Sequence, residues 1–171
     1  YGRSKGAELV LAGQSILDDV QCLVLNSPSN VIFEGIKGKL NSHSSSWTYL
    51  QKELPYQKLQ LGNYLLNKFF GKHIPEDSRA QIDVSKISSP LLLLGSDVDE
   101  IWNASSAIDD IISNYKGEFI LFKKYHETGH MLTIAYQPNH RYRKDWRLLM
   151  KESVDSWFAT INYFDTHLKN L

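Results

Sequence analysis

Three short apolar runs constrain this chain more than any other feature. "VQCLVLN" (20–26), "PLLLLGS" (90–96) and "EFILFKKY" (118–125) are strand-length and β-rich. The first two show no polar alternation, as expected of strands buried on both faces. Helix-forming segments separate and flank the runs. "KGAELVLAGQSIL" (5–17) carries apolar positions on several sides, which suits a helix packed on a sheet. A second helix is expected near 103–114, and "DWRLLMKESVDSWFATINYFDTHLKN" closes the chain as a third. Strand and helix in alternation predict an α/β fold, a parallel sheet with helices on its faces, whose site gathers at the carboxyl ends of the strands.

The segment 27–89 breaks this rhythm. "GIKGKLNSHSSSWTYLQKELPY" is loop-like, whereas "QKLQLGNYLLNKFFGK" has apolar residues at helical spacing. The segment is expected to form a cap-like excursion within a single domain spanning 1–171. With 171 residues and 42% hydrophobic content, one sizeable core is within reach. Nineteen Lys and Arg balance nineteen Asp and Glu, so no basic field would draw nucleic acid, and a small-molecule substrate is expected. The lone cysteine, Cys22, excludes an intramolecular disulfide and points to a reducing, cytoplasmic setting. No stretch reaches the roughly 18 apolar residues of a membrane span. The first residue is Tyr rather than Met, which suggests a longer parent chain.

At the amino end, "GRSKG" (2–6) fits G-x-S-x-G, a pattern that turns a strand sharply into a helix and lifts the serine oxygen above the sheet. Gly2 and Gly6 supply the small flanking residues, Ser4 the nucleophile, and the Lys5 amide an oxyanion donor at the positive end of a helix. Five residues alone also fit a helix-capping turn. The order of acid and histidine further along the chain strengthens the catalytic reading. After "PLLLL" comes "GSDVDEIW" with Asp97 and Asp99, and after "EFILFKKY" comes "HETGH" with His126 and His130. A serine hydroxyl needs a neutral imidazole to take its proton and a carboxylate to orient that imidazole. Gly129 favours His130 as the base, because it permits a sharp loop that turns the ring back toward the serine. His43, His73, His140 and His167 sit in polar or terminal contexts and are expected in solvent. Those four histidines form no metal-ligand pattern, and no cofactor is implied. Trp102, Trp146 and Trp157 read as packing residues.

"GRSKGAELVLA", "SSSWTYLQKELPY", "LLLLGSDVDEIWNAS" and "YHETGHMLTIAYQP" together resemble the C-terminal catalytic domain shared by acyl-CoA thioesterases and bile acid-CoA:amino acid N-acyltransferases. That domain is close to dienelactone hydrolases within the α/β-hydrolase superfamily. The resemblance implies Ser4 as nucleophile, His130 as base and an aspartate of "GSDVDEIW" as acid. Counting back from Trp102 favours Asp99, with Asp97 as the alternative and Glu100 facing solvent. Family acyltransferases carry cysteine where Ser4 stands, so the resemblance implies hydrolysis of an acyl thioester. The alternatives are a carboxylesterase or dienelactone-type hydrolase, and an inactive truncated module with a structural or binding role. Family enzymes have several strands before the elbow, so the chain is expected to begin partway through a longer hydrolase. Arg3 and Lys5 are candidates for holding a phosphate-bearing substrate. Trp47, with Tyr49, Tyr56, Tyr64, Phe69 and Phe70, is a candidate lining for an acyl pocket.

Overall fold

A computed structural model describes residues 1–37, 40–58, 78–130, 132 and 146–168 of the chain. The three apolar runs become three of the four strands of one parallel sheet. Strands β1 (Gly2–Arg3), β2 (Leu23–Asn26), β7 (Leu91–Ser96) and β8 (Ile120–Tyr125) lie in the order β1-β2-β7-β8. Register is in step across the sheet: Leu25 faces Leu93, and Leu93 faces Phe122. Gly2 pairs with Leu25, which brings the end of β1 level with the end of β2.

Successive side chains of a strand point to opposite faces, and the two inner strands feed two separate cores. Leu23, Leu25, Leu91 and Leu93 enter one core, with Ala7 and Leu11 of helix α1 (Lys5–Leu17) and Ile108 and Ile111 of α2 (Ala104–Asn114). Val24, Leu92 and Leu94 enter the other, with Leu132 and with Tyr163 of α3 (Trp146–Leu168). This explains why β2 and β7 lack alternation: each residue meets apolar neighbours on its own side. β8 is different. It lies at the end of the sheet, and Leu121 and Phe122 remain about half exposed. Its far end is tied down by polar contacts, with Lys123 and Tyr125 both reaching Asp155 of α3 and Lys124 reaching Asp109 of α2.

Helix boundaries follow the local chemistry. Asn103 caps α2 by accepting the Ser106 N–H at 3.0 Å. Asp18, in the left-handed conformation, ends α1 and returns its N–H to the Gln14 carbonyl.

The excursion holds more structure than its polar sequence suggests. Strands β3 (Glu34–Lys37) and β4 (Leu40–Ser45) form one antiparallel hairpin, and β5 (Thr48–Tyr49) and β6 (Lys52–Glu53) a second. Leu50 and Gln51 join the second with φ of 48° and 64°. Positive φ at both central residues is the turn geometry that normally selects Asn-Gly, so the sequence carries no hairpin signal there. Single 3₁₀ turns at Ser78–Ala80 and Val84–Lys86 lead back to β7. Ile32, Ile82, Val84 and Ile87 bury against the α1 side of the sheet, which anchors both ends of the excursion to the first core. The helix predicted within "QKLQLGNYLLNKFFGK", with Tyr64, Phe69 and Phe70, falls at 59–77 apart from its first two residues, outside the described residues.

Leu93 is fully buried and Phe122, its neighbour across the ladder, is 53% exposed. Leu93→Ala is expected to cost about 2–5 kcal/mol and Phe122→Ala about 1 kcal/mol or less, measured by denaturant unfolding.

Candidate active site

Four strand ends lie along one edge of the sheet, and the residues just beyond them build the site. Ser4 occupies the step from β1 to α1 with φ 54° and ψ −124°. A non-glycine residue there is strained by roughly 1–3 kcal/mol. Two ties hold it: the Ser4 N–H donates to the Asn26 carbonyl at 2.9 Å, and the Ser4 carbonyl accepts the N–H groups of Ala7 and Glu8. Of the two flanking glycines, only Gly2 is sterically required. A Cβ on Gly2 would run into the Gly6 carbonyl and the Ala7 Cα, whereas one on Gly6 meets nothing within 4 Å.

His130 lies beyond β8 and is 3% exposed. Its Nε2 lies 2.7 Å from the Ser4 Oγ, and its Nδ1 lies 2.8 and 3.0 Å from the two Asp99 carboxylate oxygens. A carboxylate only accepts, so Nδ1 donates to Asp99, and in the neutral imidazole Nε2 is left to accept from the serine. Asp99 is equally enclosed, with a side chain 1% exposed, and its Oδ1 accepts the N–H groups of Ile101 and Trp102 at 2.8 and 3.1 Å. Asp97 points elsewhere: it accepts the Ser105 hydroxyl at 2.6 Å and pairs with His126 at 2.7 Å on the surface. Of the two aspartates, Asp99 is the one that reaches His130.

Three contacts around His130 were not legible from motifs. Glu100, expected in solvent, instead accepts the His130 N–H at 2.8 Å. A Cβ on Gly129 would collide with that carboxylate, so glycine is needed there for close approach as well as for the turn. The Ser27 hydroxyl donates to the His130 carbonyl at 2.9 Å. Trp102 sets its indole perpendicular to the imidazole, with ring centres 4.6 Å apart, stacks on Phe33, and donates its indole N–H to the Ser27 and Pro28 carbonyls. Trp102 is a packing residue, as expected, but what it packs is the site.

The remaining candidates lie mostly turned inward. The Lys5 ammonium pairs with Glu8 and donates to the Phe33 carbonyl at 3.2 Å, so its charge is engaged by the excursion while its side chain stays partly exposed. Burial pushes Glu8 up and Lys5 down from their ordinary pKa values, with each partner's charge opposing the shift. Trp47 donates its indole N–H to Glu8 at 2.8 Å and packs beside the first core. It anchors the excursion to α1. Arg3 is partly exposed at the end of β1. His43 lies in solvent beside Glu34, but His167 packs against Phe119 and Tyr163 with its Nε2 buried, contrary to the solvated position expected for it. His73 and His140 lie outside the described residues.

The parallel sheet with helices on both faces, its chemistry-bearing residues on successive strand ends, has the architecture of the α/β-hydrolase superfamily. A family model described as BAAT / acyl-CoA thioester hydrolase C terminal matches residues 1–170, and the chain belongs to that family. Membership supports activity of the acyl-CoA thioester hydrolase or acyltransferase type, with an acyl-CoA thioester as fitting substrate. No curated protein matches the chain. Among the described residues, no helix is long and apolar enough to cross a membrane.

The glycine geometry gives a paired expectation. Gly2→Ala should destabilise the protein by about 1–3 kcal/mol through overpacking. Gly6→Ala, inside α1, should stabilise it by roughly 0.5–1 kcal/mol in the same denaturant titration.

Proposed function

We propose that the chain is a serine hydrolase that cleaves an acyl thioester through a Ser4–His130–Asp99 triad and an acyl-enzyme. The observation that carries this reading is the unbroken series of hydrogen bonds from Ser4 Oγ through both nitrogens of His130 to Asp99. The Ser4 Oγ attacks the thioester carbonyl carbon as His130 Nε2 takes the hydroxyl proton. The oxyanion that forms accepts from the Lys5 N–H, one of the first amides of α1 and so without a carbonyl partner in its own helix. As the carbon–sulfur bond breaks, the imidazolium returns its proton to the departing thiolate. Water then repeats the sequence against the Ser4 ester, releasing the carboxylic acid and restoring the serine.

Asp99 holds the imidazole in the tautomer that accepts from serine and stabilises the imidazolium. Its burial strengthens that interaction, because little water competes for the carboxylate. Serine at the nucleophile position favours water over an amine as final acceptor. The described part of the cap-like excursion, 27–37, 40–58 and 78–89, lies beside this site within one domain, and Trp47 and Glu8 belong to its anchor.

The test is thiol release from acyl-CoA and acid release from p-nitrophenyl esters by the protein and three variants. Ser4→Ala should lower kcat by roughly 10³- to 10⁶-fold and Asp99→Asn by roughly 10⁴-fold, whereas Asp97→Asn should stay within about 3-fold. Full activity in folded Ser4→Ala would exclude the triad, and turnover of esters but not thioesters would exclude the assigned leaving group.

A further inference from the structure

The loop that carries His130 is gripped by a residue of the closing helix. Glu152 lies in the second turn of α3, and its carboxylate receives three consecutive backbone amides. Its Oε1 accepts the N–H of His126 at 3.0 Å and of Glu127 at 3.2 Å. Its Oε2 accepts the N–H of Glu127 at 3.1 Å, the N–H of Thr128 at 2.7 Å and the Thr128 hydroxyl at 2.7 Å. Thr128 is 2% exposed, so this contact sits at the inner side of the loop. Partial burial pushes the Glu152 carboxyl up, but the donors from His126, Thr128 and Glu127 outweigh it and hold the group below the ordinary glutamate range.

We propose that Glu152 is a positioning residue for His130, acting through the backbone of 126–128 to set the approach of the imidazole to Ser4. This rests on the reading of His130 as general base. The geometry separates the role from ordinary helix docking. α3 is held to the sheet independently, by Tyr163 in the second core and by Asp155 on Lys123 and Tyr125. What Glu152 adds is the path of three residues that end two positions before His130. Glu100 then takes the His130 N–H, so two carboxylates from different elements fix both ends of a five-residue loop (126–130). A base displaced by about 1 Å can lose about 100-fold in rate, which is the scale on which such a grip matters.

The experiment compares E152A, E152Q and T128V in the protein, reading kcat and KM for acyl-CoA, the thermal midpoint, and the low-field proton resonance of the His130 Nδ1–H bonded to Asp99. E152A should lower kcat by roughly 10- to 100-fold with KM within about 2-fold, and should shift or broaden the His130 resonance. E152Q, which keeps one accepting oxygen, should fall between E152A and wild type. T128V, which removes only the hydroxyl donor, should lower kcat a few-fold at unchanged thermal midpoint. Should E152A not fold, E152Q and T128V carry the comparison. Wild-type kcat per folded molecule together with an unmoved His130 resonance in E152Q would overturn the inference. A wild-type protein lacking that resonance would instead count against the triad itself, so the two failures are distinguishable.

Discussion

Parallel pairing of β2 with β7 sets Leu23–Asn26 against Leu91–Leu94, with both faces of both strands buried. Because side chains alternate across a strand, a slip of one residue would exchange the two cores and move every strand end. The Asn26 carbonyl that holds the Ser4 N–H and the Ser27 hydroxyl that holds the His130 carbonyl sit directly at the end of β2. Ser27 is itself fixed to the Leu94 carbonyl of β7 at 2.7 Å. Leucine packing deep in the sheet therefore determines where Ser4 and His130 meet at its edge.

At that edge, strain and electrostatic organisation support one another. Ser4 is held in a positive-φ conformation that the close approach at Gly2 makes possible and the Asn26 bond enforces. Asp99, at the opposite end of the series, is enclosed by the turn that donates the Ile101 and Trp102 amides to it. Between them the imidazole is confined by the perpendicular Trp102 indole and by Glu100 on its own amide. In the proposed mechanism such a site is preorganised: little need move before reaction except the proton.

Much of this is visible in the residues. Strands β2, β7 and β8 with α1 and α2 follow from apolar runs broken by turn residues, Asp99 and His130 from their places after two of those strands, and Ser4 from its flanking glycines, whereas the two-residue β1 carries no apolar signal. The contacts that could not be read have a common physical cause. Glu100 and Glu152 act on backbone N–H groups 30 and 24–26 residues away, and a backbone donor leaves no mark in the sequence. Glu100 therefore reads as solvated, although burial of a charge is set by its partner and the partner here is main chain. Glu8 meets Trp47 across 39 residues, so a glutamate that looks like an ordinary first-turn residue is in fact fully buried. The hairpin turned by Leu50 and Gln51 uses a conformation that its residues do not favour, and tertiary anchoring through Leu54 and Tyr56 decides it.

Whether Ser4, activated through His130 and Asp99, is the nucleophile can be read from its reaction with a fluorophosphonate. The serine oxygen displaces fluoride and leaves a stable phosphonyl ester that peptide mass spectrometry can locate. One adduct is expected, on the peptide containing Ser4, formed at least about 100-fold more slowly in Asp99→Asn. An adduct on another residue, or no adduct on Ser4 in protein that turns over acyl-CoA, would contradict the assignment.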